Sequence, residues 1–165
     1  MSDSIIIIAG PTASGKSALA IDVAKEFNGV IINADSMQVY RELDVLSARP
    51  PKRDLLKAPH RLYGFMDADD PCSVGRWLNL AVLEIKKAWA EGRLPLVVGG
   101  TGMYLKALME GLAPIPDVPA QTRDKATAFH AKLGGEAFRR ELAKLDPEAA
   151  ERLPAGDTQR LIRAY

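Results

Sequence analysis

A single cysteine, Cys72, stands among 165 residues. One thiol excludes a disulfide framework and a cysteine-rich metal site, and it suits a reducing compartment. No apolar stretch reaches the roughly 18–20 residues that a bilayer-crossing helix needs. The amino-terminal apolar run is too short for a signal peptide and has no basic leader, so a cytoplasmic protein is expected. Neither sign of charge dominates: 22 basic residues against 21 acidic leave a net charge of +1. Whole-molecule charge therefore argues neither for nor against a nucleic-acid partner. Internal repeats and low-complexity tracts are absent too. What is present is a globular composition, 47% hydrophobic and 26% charged, in a length that fits one domain or one domain and part of another.

The most informative stretch is Gly10-Pro11-Thr12-Ala13-Ser14-Gly15-Lys16-Ser17, which follows four isoleucines, Ile5 to Ile8. The β-branched run suits a strand buried on both faces. After Lys16 the chain turns helical in character. Strand, glycine-rich turn and helix are the setting in which G-x-x-x-x-G-K-S denotes a phosphate-binding P-loop. Gly10 and Gly15 let backbone N–H groups wrap around an anion, and the following helix adds its positive end. Lys16 brings a point charge to the terminal phosphates, and Ser17 a hydroxyl that can ligate Mg²⁺. The loop implies a diphosphate or triphosphate without saying which.

Further along, a first helix is expected from Gly15 to about Phe27, with Leu19, Val23 and Phe27 on its apolar stripe. Val30-Ile31-Ile32 reads as a second buried strand, with Asn33-Ala34-Asp35-Ser36-Met37-Gln38 at its carboxyl end. Ligands of open parallel sheets sit at such ends, so Asp35 should share the crevice with Lys16, unless it simply caps a helix. From Arg41 to Arg61 the chain is irregular, basic and broken by prolines, either a solvated loop or a segment that touches substrate. A short third strand is expected at Leu62-Tyr63-Gly64-Phe65. Ser73 should cap a helix whose apolar stripe carries Trp77 and Trp89, which places both tryptophans in the core. A fourth strand runs from Pro95 into Val98-Gly99-Gly100-Thr101. Many ATPases place an acidic residue there to organise Mg²⁺. Here two glycines admit a ligand close to the backbone, and Thr101 offers a hydroxyl or a cap for a helix over Met103 to Met109.

These features predict an α/β core, a P-loop NTPase-like parallel sheet flanked by helices, over residues 1–113. Pro114, Pro116 and Pro119 then form a stiff connector to a helical second region, 114–165, with helices expected at about Ala120 to Leu133, Gly135 to Leu145, Pro147 to Leu153 and from Thr158 onward. Chemically, an aspartate beside a diphosphate can act as general base on the attacking group. Attack at phosphorus would make the protein a kinase for a nucleotide or metabolite. Attack at carbon, with the diphosphate leaving, would make it a transferase. The residues alone leave both routes open, and a non-catalytic diphosphate- or RNA-binding module as a third.

The stretches Gly10 to Ser17, Asn33-Ala34-Asp35-Ser36-Met37-Gln38-Val39-Tyr40, Ala58-Pro59-His60-Arg61-Leu62, Val97 to Tyr104 and Asp157 to Ala164 resemble, in order, the tRNA dimethylallyltransferase (isopentenyltransferase) family. The resemblance implies transfer of a dimethylallyl group from dimethylallyl diphosphate to N6 of the adenine beside a tRNA anticodon. It implies Asp35 as the base, Thr101 as a holder of the amine or diphosphate, and Lys16, Ser17 and the loop Gly10, Pro11, Thr12, Ala13, Ser14, Gly15 as the diphosphate (or ATP) site with Mg²⁺. It further implies tRNA contacts at Asp35, Ser36, Met37, Gln38, Thr101, Arg123, Gln159, Arg160, Leu161, Ile162 and Arg163, made to the anticodon stem-loop by a monomer. Chains of this family continue beyond the helical region to complete the sheet, so this chain is expected to be an amino-terminal portion, weak or inactive by itself.

Overall fold

The computed structural model describes residues 4–113 and 118–165. The chain divides into two compact units, Met1–Ala113 and Pro114–Tyr165. In the first, strand β1 (Ile6–Ala9) leads through the P-loop into helix α1 (Lys16–Glu26), and then strand β2 (Gly29–Asn33) follows. A single 3-10 turn, Arg41–Leu43, a short helix α2 (Lys52–Leu55) and strand β3 (His60–Arg61) come next. Helix α3 (Val74–Ala90), strand β4 (Leu94–Gly99) and helix α4 (Gly102–Glu110) complete the unit. The four strands are all parallel, in the order β1-β4-β2-β3.

The strands β2 and β4, built on the aliphatic runs Val30-Ile31-Ile32 and Leu96-Val97-Val98, lie inside the sheet, where every residue of β2 is buried. On one face Trp77, Ala81 and Ile85 of α3 pack with Tyr104 and Leu105 of α4 against Ile32 and Val97. On the other, Ala20, Ile21 and Ala24 of α1 cover Ile31, Leu96 and Val98. Both tryptophans take the core-side role expected of them: Trp77 is fully buried, and Trp89 donates its indole N–H to the Ser4 carbonyl at 3.0 Å. Ser73 caps α3 by accepting the Arg76 N–H at 3.1 Å.

Four expectations need correction. The strand carrying the isoleucines is not buried on both faces; β1 is an edge of the sheet among the described residues, and Ile6 is 38% exposed. The buried stripe of α1 is Ala20, Ile21 and Ala24, whose small side chains allow close approach to the sheet, while Leu19 and Phe27 face solvent. The third strand lies two residues earlier than expected, because Leu62 (φ 62°) and Gly64 (φ 54°) turn left-handed and cannot extend it. The basic stretch between Arg41 and Arg61 is also less irregular than expected, since it holds the 3-10 turn, α2 and β3.

The second unit is helical: α5 (Ala120–Leu133), α6 (Gly135–Leu145), α7 (Pro147–Arg152) and α8 (Thr158–Ala164). Its core gathers Phe138, Leu142, Ala149, Ala150, Leu153 and Leu161. Asp146 and Asp157 cap α7 and α8 through the N–H groups of Ala149 and Arg160. Of the expected proline connector, Pro114 and Pro116 lie outside the described residues, and Pro119 sits at the N-cap of α5. Among the described residues no helix is long and apolar enough to cross a membrane.

Candidate functional site

The strands β1, β4 and β2 are consecutive neighbours, so the loops leaving their carboxyl ends emerge side by side. The first is the P-loop. Ala13 (φ 64°) and Gly15 (φ 84°) are both left-handed, a backbone course that turns N–H groups to a common side. A left-handed alanine costs about 1–3 kcal/mol, and such strain concentrates at functional turns. Lys16 Nζ donates to the Pro11 carbonyl at 2.8 Å, holding the ammonium group over its own loop. Ser17 is exposed on the first turn of α1, and its hydroxyl makes no hydrogen bond among the described residues.

The second and third loops are joined. Past the end of β2 the ladder continues, with Ala34 N–H donating to the Val98 carbonyl and Thr101 N–H to the Ala34 carbonyl. Thr101 occupies the N-cap position of α4, yet its side chain does not cap the helix. Its hydroxyl instead accepts the Ser36 N–H at 2.9 Å and donates to Ser36 Oγ at 3.3 Å. Asp35 does not cap a helix either. One carboxylate oxygen accepts the Met37 N–H at 2.9 Å in a tight turn, and the other has no hydrogen-bond partner among the described residues. That oxygen is open to a substrate proton.

The two glycines at the end of β4, Gly99 and Gly100, are there for the protein's own backbone. A Cβ on Gly99 would lie 2.2 Å from both the carbonyl carbon and the oxygen of Ala34, and one on Gly100 would lie 3.1 Å from the Gly10 carbonyl. The expected ligand approach at Gly99 is therefore corrected: that space belongs to the Ala34 backbone just past β2, and the glycine lets the Asp35 and Thr101 loops converge.

Beneath Asp35 lies a residue that sequence reasoning passed over. Asn33 is fully buried, the sole buried polar residue among those described. Its Nδ2 donates to the carbonyls of Asp35 and Leu62, both at 3.0 Å, and its Oδ1 accepts the Asp35 N–H at 2.9 Å. Trp77 donates to the Asn33 carbonyl at 2.8 Å and stacks on Tyr104 with 4.3 Å between ring centres. The available signal was one amide ending an aliphatic run, Val30-Ile31-Ile32-Asn33. Burial, and then the charge of Asp35, push the Tyr63 phenol upward, so it stays protonated as a neutral wall beside the carboxylate. Tyr104 moves the same way, through burial first and then the Cys72 thiol.

The remaining predicted residues divide by exposure. Ser36 and Gln38 are half-buried and Met37 is exposed. In the second unit Arg123, Gln159, Arg160 and Arg163 are exposed, Ile162 is half-buried, and Leu161 is fully buried in the core. Leu161 can support a ligand surface there only by holding α8 in place.

A phosphate loop after the first strand of a parallel, helix-flanked sheet makes the first unit a P-loop NTPase-like α/β fold. The IPP transferase family matches residues 38–165 and the isopentenyl transferase family residues 3–69, and the chain belongs to the IPP transferase family. The tRNA dimethylallyltransferase of Rhodospirillum rubrum is 58% identical over 161 residues, which cover 98% of this chain and 49% of that relative. The full-length tRNA isopentenylpyrophosphate transferase of Bacillus halodurans superposes with a TM-score of 0.67 at 34% identity, over 99% of this chain and 54% of that one. A eukaryotic dimethylallyltransferase acting on tRNA gives a TM-score of 0.81 at 29% identity, over 96% of this chain and 40% of that one. The chain spans about half the length of the curated relatives it matches. The resemblance carried by the motifs holds at the level of the family.

Proposed function

We propose that this chain supplies the diphosphate loop and the general base of a tRNA dimethylallyltransferase. The observation that carries the reading is the Thr101–Ser36 bond, which draws the Asp35 turn against the β4 loop beside the P-loop, with no acidic residue among Gly100, Thr101 and Gly102 directly after β4. The exocyclic N6 of adenine is a weak nucleophile, because its lone pair is delocalised into the ring. Asp35 accepts the N6 proton as nitrogen attacks C1 of the dimethylallyl group. The C1–O bond breaks, and the diphosphate leaves with the electron pair. Lys16 and the loop amides stabilise that developing charge. Thr101 orients the reacting amine or the diphosphate from the opposite loop. The target base leaves the anticodon stack to reach this crevice. In the second unit Arg123, Gln159, Arg160 and Arg163 offer exposed polar groups to the RNA backbone.

A hard divalent cation fits the loop, since the unengaged Ser17 hydroxyl is the oxygen donor that Mg²⁺ takes alongside phosphate oxygens. When bound, Mg²⁺ neutralises charge on the leaving diphosphate. Kinase action is the less favoured reading, for want of the acid after β4. Non-catalytic binding of diphosphate or RNA is the other reading, which the same test separates.

The test incubates the protein with labelled dimethylallyl diphosphate, Mg²⁺ and unmodified tRNA. Label entering RNA, and lost with Asp35→Ala, supports the proposal. Phosphate transfer from ATP to a small acceptor with no label in RNA overturns it. Binding of both ligands without transfer favours the non-catalytic reading.

A further inference from the structure

Next to the Asp35 turn, the stretch from Arg41 to Gly64 borders an open cleft of about 710 Å³, which has Tyr63 in its lining. That size lies within the roughly 300–1,000 Å³ of small-ligand sites. Arg41, Arg49 and Lys52 line it against one acid, Asp44, while Val45, Pro50, Leu55 and Tyr63 give it an apolar side. Asp44 is already answered by Arg49, whose guanidinium lies 3.6 Å from it and also donates to the Tyr40 carbonyl at 3.2 Å. Arg41 is engaged by Asp67 and the Phe65 carbonyl. Lys52 lends its main-chain carbonyl to the Leu56 N–H, while its ammonium group makes no hydrogen bond or ion pair among the described residues.

The cleft is built into the fold. Gly64 leaves room for Arg49, since a Cβ there would lie 2.1 Å from its Nη1. Gln38 ties it to the Asp35 turn, its Nε2 donating to the Ser47 carbonyl at 2.9 Å and its own carbonyl accepting the Gly64 N–H at 2.9 Å. Val45, 86% exposed, lines the same cleft as the unpaired Lys52 side chain. An unpaired cation next to exposed apolar surface, joined to the turn that carries the base, matches a ligand with one anionic group and one flat apolar face.

We infer that this cleft receives one nucleotide of the RNA strand flanking the reacting adenine, its phosphate on Lys52 and its base against Val45, Leu55 and Tyr63. The inference rests on the RNA substrate proposed above. Single-stranded RNA is held by this pairing of phosphate contacts with base packing.

The test follows the anisotropy of a labelled anticodon stem-loop RNA against salt for the chain and for Lys52→Ala, Lys52→Arg, Lys57→Ala and Val45→Ser. Lys57, paired with Asp54 and absent from the cleft lining, reports the effect of bulk charge. Lys52→Ala should weaken binding roughly three- to tenfold and lower the salt slope by about 0.7, the share of one single-strand phosphate. Lys52→Arg should restore the slope, Lys57→Ala should change little, and Val45→Ser should weaken binding at unchanged slope. Equal effects of Lys52→Ala and Lys57→Ala would overturn the cleft while leaving RNA binding in place. A change in oligomeric state with Val45→Ser at unchanged RNA affinity would reassign the patch to protein contact. Absence of RNA binding by the unsubstituted chain would overturn both this inference and the substrate reading. Melting curves and diphosphate binding confirm that each variant is folded.

Discussion

The Thr101 hydroxyl accepts the main-chain N–H of Ser36 at 2.9 Å, across 65 positions of sequence. It is the side-chain link between the loop after β4 and the turn that holds Asp35. Thr101→Val keeps the shape and deletes the acceptor, leaving a half-buried N–H unpaired at a cost of about 1–3 kcal/mol. Urea unfolding should show that loss, and label transfer to tRNA should fall with kcat rather than KM. Thr101→Ser should recover most of both. A valine variant with unchanged stability and transfer would remove the link from the account.

At Gly99 the backbone of β4 comes close to that of Ala34, the residue before Asp35. A methyl group there meets Ala34 backbone atoms at 2.2 Å, which no side-chain rearrangement can relieve. Gly99→Ala should therefore cost more than about 3 kcal/mol. Gly102→Ala serves as the comparison, because its Cβ would meet nothing within 4 Å. It should be neutral or slightly stabilising through helix propensity at the start of α4. Similar midpoints for the two variants would sink the packing argument.

Asn33 should act as a positioning residue for Asp35. Asn33→Ala strands the Asp35 N–H and the Asp35 and Leu62 carbonyls, at an overall cost of about 3 kcal/mol or more. Asn33→Asp should be worse, since it sets a buried acceptor against two carbonyl oxygens. If the turn is displaced, the pH profile of transfer should shift along with its rate. Loss of stability with an unaltered profile would confine Asn33 to folding.

How much of this was legible in the chain varies with the range of the interaction. The P-loop was readable because its function is local: Gly10, Gly15, Lys16 and Ser17 act within a single turn. The fold class was readable from the aliphatic runs of β2 and β4 and the period of α3. Exposure was not. The isoleucines of β1 have the composition of an interior strand, yet among the described residues β1 lies at the edge of the sheet, and strand order does not follow from composition. Hydrophobicity alone favours the stripe Leu19, Val23, Phe27, whereas contact with the sheet selects Ile21 and the small residues Ala20 and Ala24. Gly99 signalled a close approach, but only the fold shows that the neighbour is Ala34. Thr101 and Asp35 each looked like helix caps, and the partner that draws Thr101 away from its helix is 65 residues distant.

Lys16→Ala should separate the two ligands. The P-loop lysine acts as a point charge on phosphate, so its removal should weaken binding of Mg²⁺ and dimethylallyl diphosphate at least about tenfold in calorimetry. RNA affinity should be unchanged, because the predicted RNA contacts lie elsewhere. Arg123→Ala and Arg160→Ala should do the reverse, flattening the salt dependence of RNA binding while sparing the diphosphate. Loss of both ligands in Lys16→Ala would mean that the loop organises the whole unit and not the anion alone.

His60 gives the fold an acid-sensitive point at the start of β3. Burial holds its imidazole below the ordinary value of 6.5, outweighing the hydrogen bond to the Ala58 carbonyl and the nearby charge of Asp54. The folded state thus resists a proton that the unfolded chain accepts. Between the two pKa values the unfolded chain binds more protons, so stability rises with pH in that window. The contribution is fully present above about 6.5, the value of the unfolded chain, and is lost as pH falls towards the lowered folded value. Urea midpoints of the unsubstituted chain should therefore drop on acidification from about pH 7.5 to about pH 5.5. His60→Gln should flatten that drop, while the carboxylates shared by both proteins contribute equally. Parallel pH curves for the two would show that His60 is as free to protonate in the folded state as in the unfolded chain.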